Sequence, residues 1–558
     1  MRSLRGSGVG RGAVVGPVAR AHPSPAVPAD AADPDREGAV RAADEAFAAV
    51  ADALERRAEA SSGAVATVLE ATAAMARDTE LAGQVRIRIE AGQATALAVD
   101  RAVAEFVDLF TQAGGYLAER VTDLLSVRDR VVARLTGQPE PGVPALDRPS
   151  VVVADDLSPA DTAALELDKV LAIVIERGGP TGHTAIIAGQ LGIPCIVRVV
   201  GASTLVDGQE VAVDAAAGTV IVDPDDATRA AVAARQAALA ALSEHTGPGA
   251  TADGHAVALL ANIGTAEDAE QLTGAAVEGV GLFRTEVLYL GRTTAPIEDE
   301  QAQAYARALR ALEGRKVVIR TLDAGADKPL AFISRGGEEN PALGVRGFRL
   351  VRTDEGLLRS ALTAIARAAA ETGGEPWVMA PMVATVEEAA QFAGIARELG
   401  LRRVGVMVEV PSAALRAPDL LAEVDFISIG TNDLAQYTMA TDRLLGELVD
   451  LLDPWQPAVL DLVAAAAAAG VAAGKPVGVC GESAADPVMA LVLTGMGVSS
   501  LSMSPAAVPG VRFALARHTL AACQELAVAA RRARTGPDAR AACLEGVDAE
   551  VREVLALG

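Results

Sequence analysis

Apolar side chains recur at helical spacing in the first quarter of the chain. Between Arg36 and Leu135 they fall three or four positions apart, and the charged residues between them would face solvent. The apolar positions are Val40, Ala43, Phe47, Val50, Leu54, Val65, Val68, Leu69, Met75, Leu117, Val121, Leu124, Leu125, Val131, Val132 and Leu135. The pattern predicts a helical bundle, either as plain structure or as a docking surface for a partner. It ends in the Gly- and Pro-rich stretch 137–144.

The hydrophobic pattern then changes to short β runs separated by helical stretches. The runs lie at 150–154, 170–175, 193–199 and in two arms around Gly218. They predict a small α/β domain that ends near Pro224. An Ala- and Arg-rich helical pattern follows from Asp225 to His245, and it could be a linker helix between separately mobile domains.

From Thr251 onward, eight short β runs alternate with longer helical segments. The runs are ALLANIG, GVGLFRTE, VVIRTLDAG, VMAPMVAT, VGVMVEVPSA, FISIGTNDL, VGVCGES and LSMSP. Eight βα units predict a (β/α)8 TIM barrel, and each run ends in polar or special residues, as expected where C-terminal strand ends build a site. The predicted fold class is therefore multidomain α/β, with a helical bundle and a small α/β domain before the barrel.

Composition narrows the functional classes. The chain has 558 residues, a formal net charge of −24 and a pI of about 4.7. This acidity argues against a nucleic-acid binder or a protein held on anionic lipid, because both need basic patches. The basic N-terminus carries glycines where a secretory signal would carry apolar residues, so a cytoplasmic protein is expected.

Two other features argue for a reduced protein without membrane insertion. The longest uncharged run, Pro487 to Val511, contains glycines, four serines and Pro505, which fit a helix, a turn and a strand. The cysteines form no CxxC pair and are too few for a disulfide framework. Of these, Cys195, Cys523 and Cys543 are expected to pack in the core.

A glycine-rich loop after the β run at 170–175 contains His183. The loop reads GGPTGHTAII over 178–187, and two glycines before a helix make a turn that can accept an anion. An imidazole at such a turn can attack phosphorus when one of its nitrogens is unprotonated. A single histidine is more often structural than catalytic. The residues of the predicted barrel are therefore needed to choose between the two interpretations.

The barrel runs bring cations and carboxylates to one predicted face. Strand ends carry Arg284, Arg320, Glu409, Asn432, Asp433 and Cys480, and the following loops carry Lys328, Arg346 and Arg443. Each arginine alone is more typical of a surface ion pair. Together, in an acidic chain, they favour an anion site in which Glu409 and Asp433 are oxygen ligands for Mg²⁺.

Seven segments closely resemble those of one family, in family order and over nearly the whole chain. They are GGPTGHTAIIA, EGVGLFRTEVLYL, VVIRTLDAGADKPL, ENPALGVRGFR, GVMVEVPSAA, DFISIGTNDLAQYTMATDR and GVCGESAADP. The family is enzyme I of the bacterial sugar phosphotransferase system, the phosphoenolpyruvate-protein phosphotransferases. The resemblance is most specific in the barrel and weakest in the helical bundle.

The resemblance implies a role for each candidate residue. His183 would accept the phosphoryl group of phosphoenolpyruvate at Nε2, release pyruvate and pass the group to a histidine of a small phosphocarrier protein. Cys480 would protonate the leaving enolate, and Glu409 and Asp433 would hold Mg²⁺. The implied substrate-binding residues are Arg284, Arg320, Asn432, Asp433 and Arg443, with Lys328 and Arg346 as further candidates.

The resemblance also implies an organisation. Residues 1–144 would form an N-terminal segment and a phosphocarrier-binding helical domain, and the strand at 1–20 could pack on the histidine domain. Residues 145–224 would form the phosphohistidine domain, 225–249 a linker helix and 250–558 the phosphoenolpyruvate-binding barrel. A homodimer through the barrel is expected.

The chain departs from the family at two positions near His183. Gly182 stands where the family usually has Ser, and Gly189 stands where it has Arg. Both changes remove groups that could touch a phosphoryl group, which motivates the alternative of a regulator that senses phosphoenolpyruvate without transfer. The retained Cys480 and both carboxylates argue against it.

A second alternative is a pyruvate phosphate dikinase or phosphoenolpyruvate synthase, which resemble the chain in the histidine domain and the barrel. Those enzymes require a large nucleotide-binding domain. The residues before 145 are helical in pattern and contain no glycine run of the P-loop type.

Overall fold

A computed structural model describes most of the chain. The described residues are 2–10, 12–28, 35–59, 63–113, 120–144, 146–157, 161–162, 165, 167–178, 184–185, 188, 193–242, 246–289, 292, 294–324, 330, 332, 338, 340–443 and 446–557. The chain divides into two compact units, Met1–Ala237 and Ala238–Gly558. Each unit is described by itself below.

The first unit contains the predicted helical bundle. Its helices within the described residues are α1 (Arg36–Glu59), α2 (Gly63–Ala76), α3 (Thr79–Glu90), α4 (Thr95–Ala113) and α5 (Val121–Thr136). Their apolar faces meet in one core that includes Phe47, Val50, Leu54 and Val131. The apolar stripe that predicts helices is thus the stripe that the bundle buries.

The same unit contains a mixed sheet. Its strands are β1 (Arg2–Arg5), β2 (Ser7–Val9), β3 (Ala13–Arg20), β4 (Ser150–Ala154), β5 (Val170–Ile175), β6 (Cys195–Val197), β7 (Glu210–Asp214) and β8 (Thr219–Val222). Their order is β1-β8-β7-β3-β4-β5-β6-β2, and β3 to β6 are parallel neighbours. Every residue of β4 is buried, as expected for a strand covered on both faces.

The N-terminal segment contributes β1, β2 and β3 to this sheet, where the sequence predicts at most one strand. Glycines obscure the strand pattern there, but they allow close packing: a Cβ on Gly8 would lie 1.6 Å from the carbonyl oxygen of Ala215. A helix, α6 (Asp226–Leu242), follows β8 and agrees with the predicted helical pattern over the residues that the structure describes. His245 lies outside those residues.

The second unit is a closed barrel of parallel strands, as predicted. Within the described residues its eight strands are β9 (Ala258–Ile263), β10 (Gly279–Arg284), β11 (Lys316–Arg320), β12 (Trp377–Ala380), β13 (Arg403–Val408), β14 (Phe426–Ile429), β15 (Val477–Val479) and β16 (Ser500–Met503). The ring closes where β16 pairs with β9. Inward side chains from alternate positions, including Leu282, Val318, Met407 and Phe426, fill the barrel.

Helices surround the strands and bury their apolar faces on the barrel. They are α7 (Ala266–Gln271), α8 (Glu298–Ala311), α9 (Glu355–Thr372), α10 (Val386–Glu398), α11 (Pro411–Leu415), α12 (Ala417–Glu423), α13 (Thr431–Thr438), α14 (Pro457–Ala473), α15 (Pro487–Gly495), α16 (Val508–Leu515), α17 (Leu520–Arg532), α18 (Gly536–Gly546) and α19 (Ala549–Val554). The uncharged run 487–511 forms α15, β16 and the start of α16, as predicted. The multidomain α/β fold class is therefore confirmed.

Judged by length and composition alone, one described helical stretch, Asp450–Ala473, is long and apolar enough to cross a membrane. It contains α14, whose Val459, Leu460 and Val463 are buried in the apolar core of the barrel unit. A core helix of a barrel meets the same criteria, so the stretch fits its place in this fold.

Candidate active site

The barrel topology gathers the predicted polar residues at the C-terminal rim. Arg284 and Arg320 are the last residues of β10 and β11, and Glu409 directly follows β13. Asn432 and Asp433 lie in the first turn of α13, and Cys480 directly follows β15. Arg346 immediately precedes a short 3-10 helix, Gly347–Arg352, and Arg443 follows α13.

Two arginines form a buried ion-pair cluster at this rim. Arg320 pairs with Glu286, and its Nη1 lies 3.4 Å from Oδ2 of Asp323. Arg346 donates to both carboxylate oxygens of Asp323, with Nη2 at 2.9 Å from Oδ2 and Nε at 3.3 Å from Oδ1. Its Nη1 lies 3.1 Å from Oδ1 of Asp433. The cluster therefore holds both guanidinium planes in fixed orientations.

The carboxylates keep these buried arginines charged. Burial disfavours the charge of Arg320, but Glu286, Asp323 and Glu409 outweigh burial and raise the pKa of the guanidinium. Burial likewise opposes the charge of Arg346, and Asp323 and Asp433 raise its pKa. Arg320 and Arg346 are thus buried cations that are paired with carboxylates.

Glu409 is the most constrained carboxylate of the rim. It is fully buried, and its Oε1 accepts a hydrogen bond of 2.5 Å from the backbone N–H of Met382. Its Oε2 is buried and has no hydrogen-bond partner among the described residues. Burial raises the pKa of Glu409, and the nearby carboxylates of Asp433 and Asp323 raise it further. A cation at this place would relieve both the desolvation and the repulsion.

The donors at this rim fit Mg²⁺. Glu409 and Asp433 are hard oxygen ligands, and Mg²⁺ is usually held by one or two carboxylates together with substrate phosphates and water. Among the residues that the structure describes, there is no group of three or more His, Cys, Asp or Glu side chains arranged for a metal. With two protein carboxylates as ligands, the other coordination positions of Mg²⁺ could be taken by a bound phosphate and water.

An unusual backbone conformation positions Glu409 and Arg346 together. Met382, whose N–H contacts Glu409, has a left-handed φ of +59°. Gly347, next to Arg346, has a φ of +56°, and a Cβ there would lie 2.8 Å from the Cβ of Met382. Non-glycine residues in this conformation persist only where the surroundings enforce them, and such residues cluster at functional sites.

Cys480 lies inside the barrel mouth as a protonated thiol. It is buried, and its Sγ lies 3.7 Å from the carbonyl oxygen of Ile429. Burial raises the pKa of the thiol, although Ser428 and Arg320 act in the opposite direction. A thiol that keeps its proton at neutral pH can serve as a proton donor.

Three further candidates lie closer to solvent. Asn432 is exposed, Arg284 is half-buried, and Nη1 of the half-buried Arg443 lies 3.8 Å from Oδ2 of Asp433. Side chains with this exposure can contact an anion that arrives from solution. Lys328 lies outside the described residues.

In the first unit, His183, Gly182 and Gly189 also lie outside the described residues. Some residues on either side of them are described. Thr184 and Ala185 are buried, and the carbonyl of Gly178, three residues after β5, accepts a hydrogen bond from Nε of Arg198 at 3.2 Å.

Sequence reasoning missed two acids of the rim, Glu286 and Asp323. Each follows an arginine at a strand end, in the segments GLFRTE and RTLDAG. The spacing of two or three residues from a predicted cationic residue could have indicated a charge partner. Both acids lie in the loops that a barrel places at its functional face.

Three family models match the chain. They are described as the N-terminal, mobile and PEP-binding domains of PEP-utilising enzymes, and they match residues 5–120, 146–218 and 240–520. The class defined by the barrel, its arginine and carboxylate rim and the α/β sheet is thus that of the PEP-utilising enzymes.

Curated relatives narrow this class. A phosphoenolpyruvate-protein phosphotransferase of Streptomyces coelicolor is 51% identical over 97% of this chain and 98% of its own length. One from Haloferax volcanii is 40% identical over 92% of this chain and 91% of its own. A multiphosphoryl transfer protein of Rhodobacter capsulatus is 38% identical over 85% of this chain but only 59% of its own. The chain belongs to the phosphoenolpyruvate-protein phosphotransferase family.

Proposed function

We propose that the chain transfers the phosphoryl group of phosphoenolpyruvate to His183 and releases pyruvate. The phosphoryl group then passes to a histidine of a small phosphocarrier protein, which is the first step of a sugar phosphotransferase system. The observation that carries this proposal is the buried cluster of Arg320, Arg346 and their carboxylates at the barrel rim. The full-length agreement with relatives of this name supports the same reaction rather than a dikinase.

The rim suits a small substrate with a phosphate and a carboxylate. Arginine binds both groups through paired N–H donors, and phosphoryl transfer depends mainly on positioning and charge neutralisation. Arg320 and Arg346 are held in place by Glu286 and Asp323. Arg284, Asn432 and Arg443, which are more accessible, would complete the contacts, with Lys328 as a further candidate.

Glu409 and Asp433 would hold Mg²⁺. The unpartnered Oε2 of Glu409 and the raised pKa of its carboxyl group support this assignment. When bound, Mg²⁺ neutralises negative charge on the transferring phosphoryl group. Asp433 would meanwhile orient Arg346, with which it pairs.

Cys480 would deliver the proton that converts the enolate of pyruvate to its keto form. The S–H bond breaks, a C–H bond forms at the methylene carbon, and a thiolate remains. The raised pKa of the buried thiol supports a donor that is protonated before the reaction. Nearby Arg320, which opposes that rise, would stabilise the thiolate after transfer.

The remaining proposals concern partners. The helical bundle would bind the phosphocarrier, the barrel would form a homodimer, and the protein would act in the cytoplasm. Sedimentation in the presence of phosphoenolpyruvate and Mg²⁺ tests the dimer, and a monomer at micromolar concentration would contradict it.

Labelling with ³²P-phosphoenolpyruvate and Mg²⁺ tests the reaction. We expect the wild type to take up acid-labile label and His183→Ala to take up none while it still binds phosphoenolpyruvate. His255→Ala is the matched control, because His255 is exposed and its backbone N–H contacts Thr251. Acid-labile label on His183→Ala would exclude His183 as the acceptor.

A further inference from the structure

Lys316 is a half-buried cation that the proposed reaction does not use. It begins β11, so it lies at the N-terminal end of the barrel, opposite to the rim. Its Nζ lies 4.0 Å from the ring centroid of Trp377 and 5.7 Å from that of Phe426. It makes no ion pair with any residue that the structure describes, and aromatic faces alone stabilise its charge.

This environment lowers the proton affinity of the Lys316 side chain. Burial lowers the pKa of Lys316 to about 8. Two other charged groups lie at this end of the barrel: Arg403, whose Cζ lies 5.6 Å from the Trp377 ring centroid, and Glu375, which pairs with Arg403 at 3.5 Å. Lys316 can therefore release and recover a proton near neutral pH.

A small cavity connects Lys316 to hydroxyl groups inside the barrel. Lys316, Ser428, Ser500 and Ser502 contribute its polar lining, and its volume is about 10 Å³. That volume is close to the room that a single water requires, and such a water needs several polar partners. At Gly478 a Cβ would lie 2.8 Å from Oγ of Ser500, so a larger residue would narrow this space.

Ser428 joins the cavity to the barrel mouth. It lines the cavity, and it also lies near enough to Cys480 to oppose the rise in the pKa of the thiol. The strand geometry explains this double contact: Ser428 pairs with Gly478 across β14 and β15, and Cys480 lies two residues beyond Gly478 on the same face. Polar groups therefore lie between Lys316 and the sulfur of Cys480, namely the serine hydroxyls that line the cavity and Ser428 beside the thiol.

We propose that Lys316, a water in the cavity and Ser428 return a proton to Cys480 from the N-terminal end of the barrel. The inference rests on the proposed function, in which Cys480 becomes a thiolate when it protonates the enolate. Ser428 gives its hydroxyl proton to the thiolate and takes one from the water, and the water takes one from the Lys316 ammonium. The resulting neutral amine recovers a proton from solvent, so one solvent proton is consumed in each turnover.

Such a path would have a function, because Cys480 is only 4% exposed to solvent. A substrate bound at the rim would cover the thiol further. It would therefore slow any exchange of the thiol proton with the solvent at that end of the barrel. A path from the N-terminal end of the barrel would keep the thiol in exchange with solvent while substrate occupies the rim.

An isotope experiment tests the path. Enzyme in H₂O is diluted rapidly into excess D₂O that contains saturating phosphoenolpyruvate and Mg²⁺, and the reaction is quenched after one turnover. Mass spectrometry then shows whether the new methyl hydrogen of pyruvate is protium or deuterium. In the wild type, exchange through the path precedes transfer, so we expect mainly deuterium.

Lys316→Met and Ser428→Ala should shift the methyl hydrogen to mainly protium, because the thiol keeps its original proton through the first turnover. Arg403→Met, which changes the other cation beside Trp377, should give the wild-type composition. Deuterium in both Lys316→Met and Ser428→Ala would overturn the path. Cys480→Ala separates the two levels: unchanged pyruvate formation in that variant would overturn the role of Cys480 itself.

Discussion

Asp323 connects the two buried arginines of the rim, and this gives a single residue control over substrate contacts. It accepts two hydrogen bonds from Arg346 and lies 3.4 Å from Arg320. An amide in its place could still accept from one arginine but would offer no charge to the second. Each guanidinium group would then lose one of the two carboxylates that orient it.

We therefore expect Asp323→Asn to raise the KM for phosphoenolpyruvate by roughly 10- to 100-fold, since a charge-assisted hydrogen bond contributes about 1.5–3 kcal/mol. Steady-state kinetics measures this change. Asp461→Asn, which removes an exposed ion pair with Arg531, should leave KM unchanged. An unchanged KM in Asp323→Asn would mean that the arginines are oriented without it.

Glu409→Gln tests the metal assignment. The amide keeps the shape of the side chain but removes the charge that would bind Mg²⁺, so we expect weaker Mg²⁺ dependence and a turnover lower by about 100-fold or more. Titration of activity with Mg²⁺ measures both effects. Glu388→Gln is the control, because Glu388 is also buried but caps a helix by accepting from the backbone of Ala384. Equal Mg²⁺ dependence in both variants would remove Glu409 from the metal site.

The lowered pKa of Lys316 predicts a pH dependence of stability. In the unfolded chain the lysine has its ordinary pKa of 10.5, and in the folded barrel the pKa is about 8. Between these values the folded state binds fewer protons, so stability rises with pH. The variant Lys316→Met has no lysine to titrate at this position, so its stability should not show this increase with pH.

We expect the unfolding free energy of the wild type to increase relative to Lys316→Met between pH 7 and pH 10 by on the order of 3 kcal/mol, the equivalent of the pKa difference. Urea titrations at several pH values measure the difference, in which effects of other groups cancel. Arg403→Met should show no such trend, because arginine does not titrate in this range. If the difference in unfolding free energy between the wild type and Lys316→Met did not change with pH, Lys316 would have the pKa of a normally solvated lysine.

At the scale of elements, the site depends on how the segment after Arg346 packs against the segment after β12. Gly347 adopts a φ of +56° and leaves no room for a Cβ beside Met382. Gly373, at the end of α9, adopts a φ of +71° but has open space around it. The two glycines thus share backbone strain and differ in crowding.

Gly347→Ala should therefore lower the free energy of unfolding more than Gly373→Ala does. Both lose about 1 kcal/mol or slightly more to backbone strain, and the collision with Met382 adds to this only in Gly347→Ala. We also expect only Gly347→Ala to weaken phosphoenolpyruvate binding, because it displaces Arg346. Thermal unfolding and a binding titration measure both. Equal losses would show that the contact with Met382 does not position the site.

The elements themselves were largely predictable, because each barrel strand is a short apolar run followed by polar residues. The run VVIRTLDAG predicts β11 and places Arg320 at its end. The sequence could not show that Asp323 turns back onto Arg320 and Arg346, since that contact depends on the loop conformation. It also could not show the short strands β1 and β2, because each contains a single apolar residue and glycines lie at or beside their ends.

At the scale of the whole molecule, each compact unit has an apolar core of its own. The core of the barrel unit contains residues from Leu242 to Leu557, and the first unit contains separate cores in the bundle and the sheet. Units with separate cores can unfold separately. In the proposed function, the phosphoryl acceptor and the substrate contacts belong to different units.

Calorimetry should therefore show that phosphoenolpyruvate with Mg²⁺ stabilises only the barrel transition. A ligand at 100 times its Kd adds about 2.7 kcal/mol to the state that binds it, which corresponds to roughly 5 °C for a unit of this size. His183→Ala prevents turnover during the scan and should retain the shift in full. Asp323→Asn in the same background should reduce the shift, because the rim arginines lose their orientation. A parallel shift of both transitions in His183→Ala would contradict a substrate site contained in the barrel, since binding to one unit cannot stabilise another that unfolds independently.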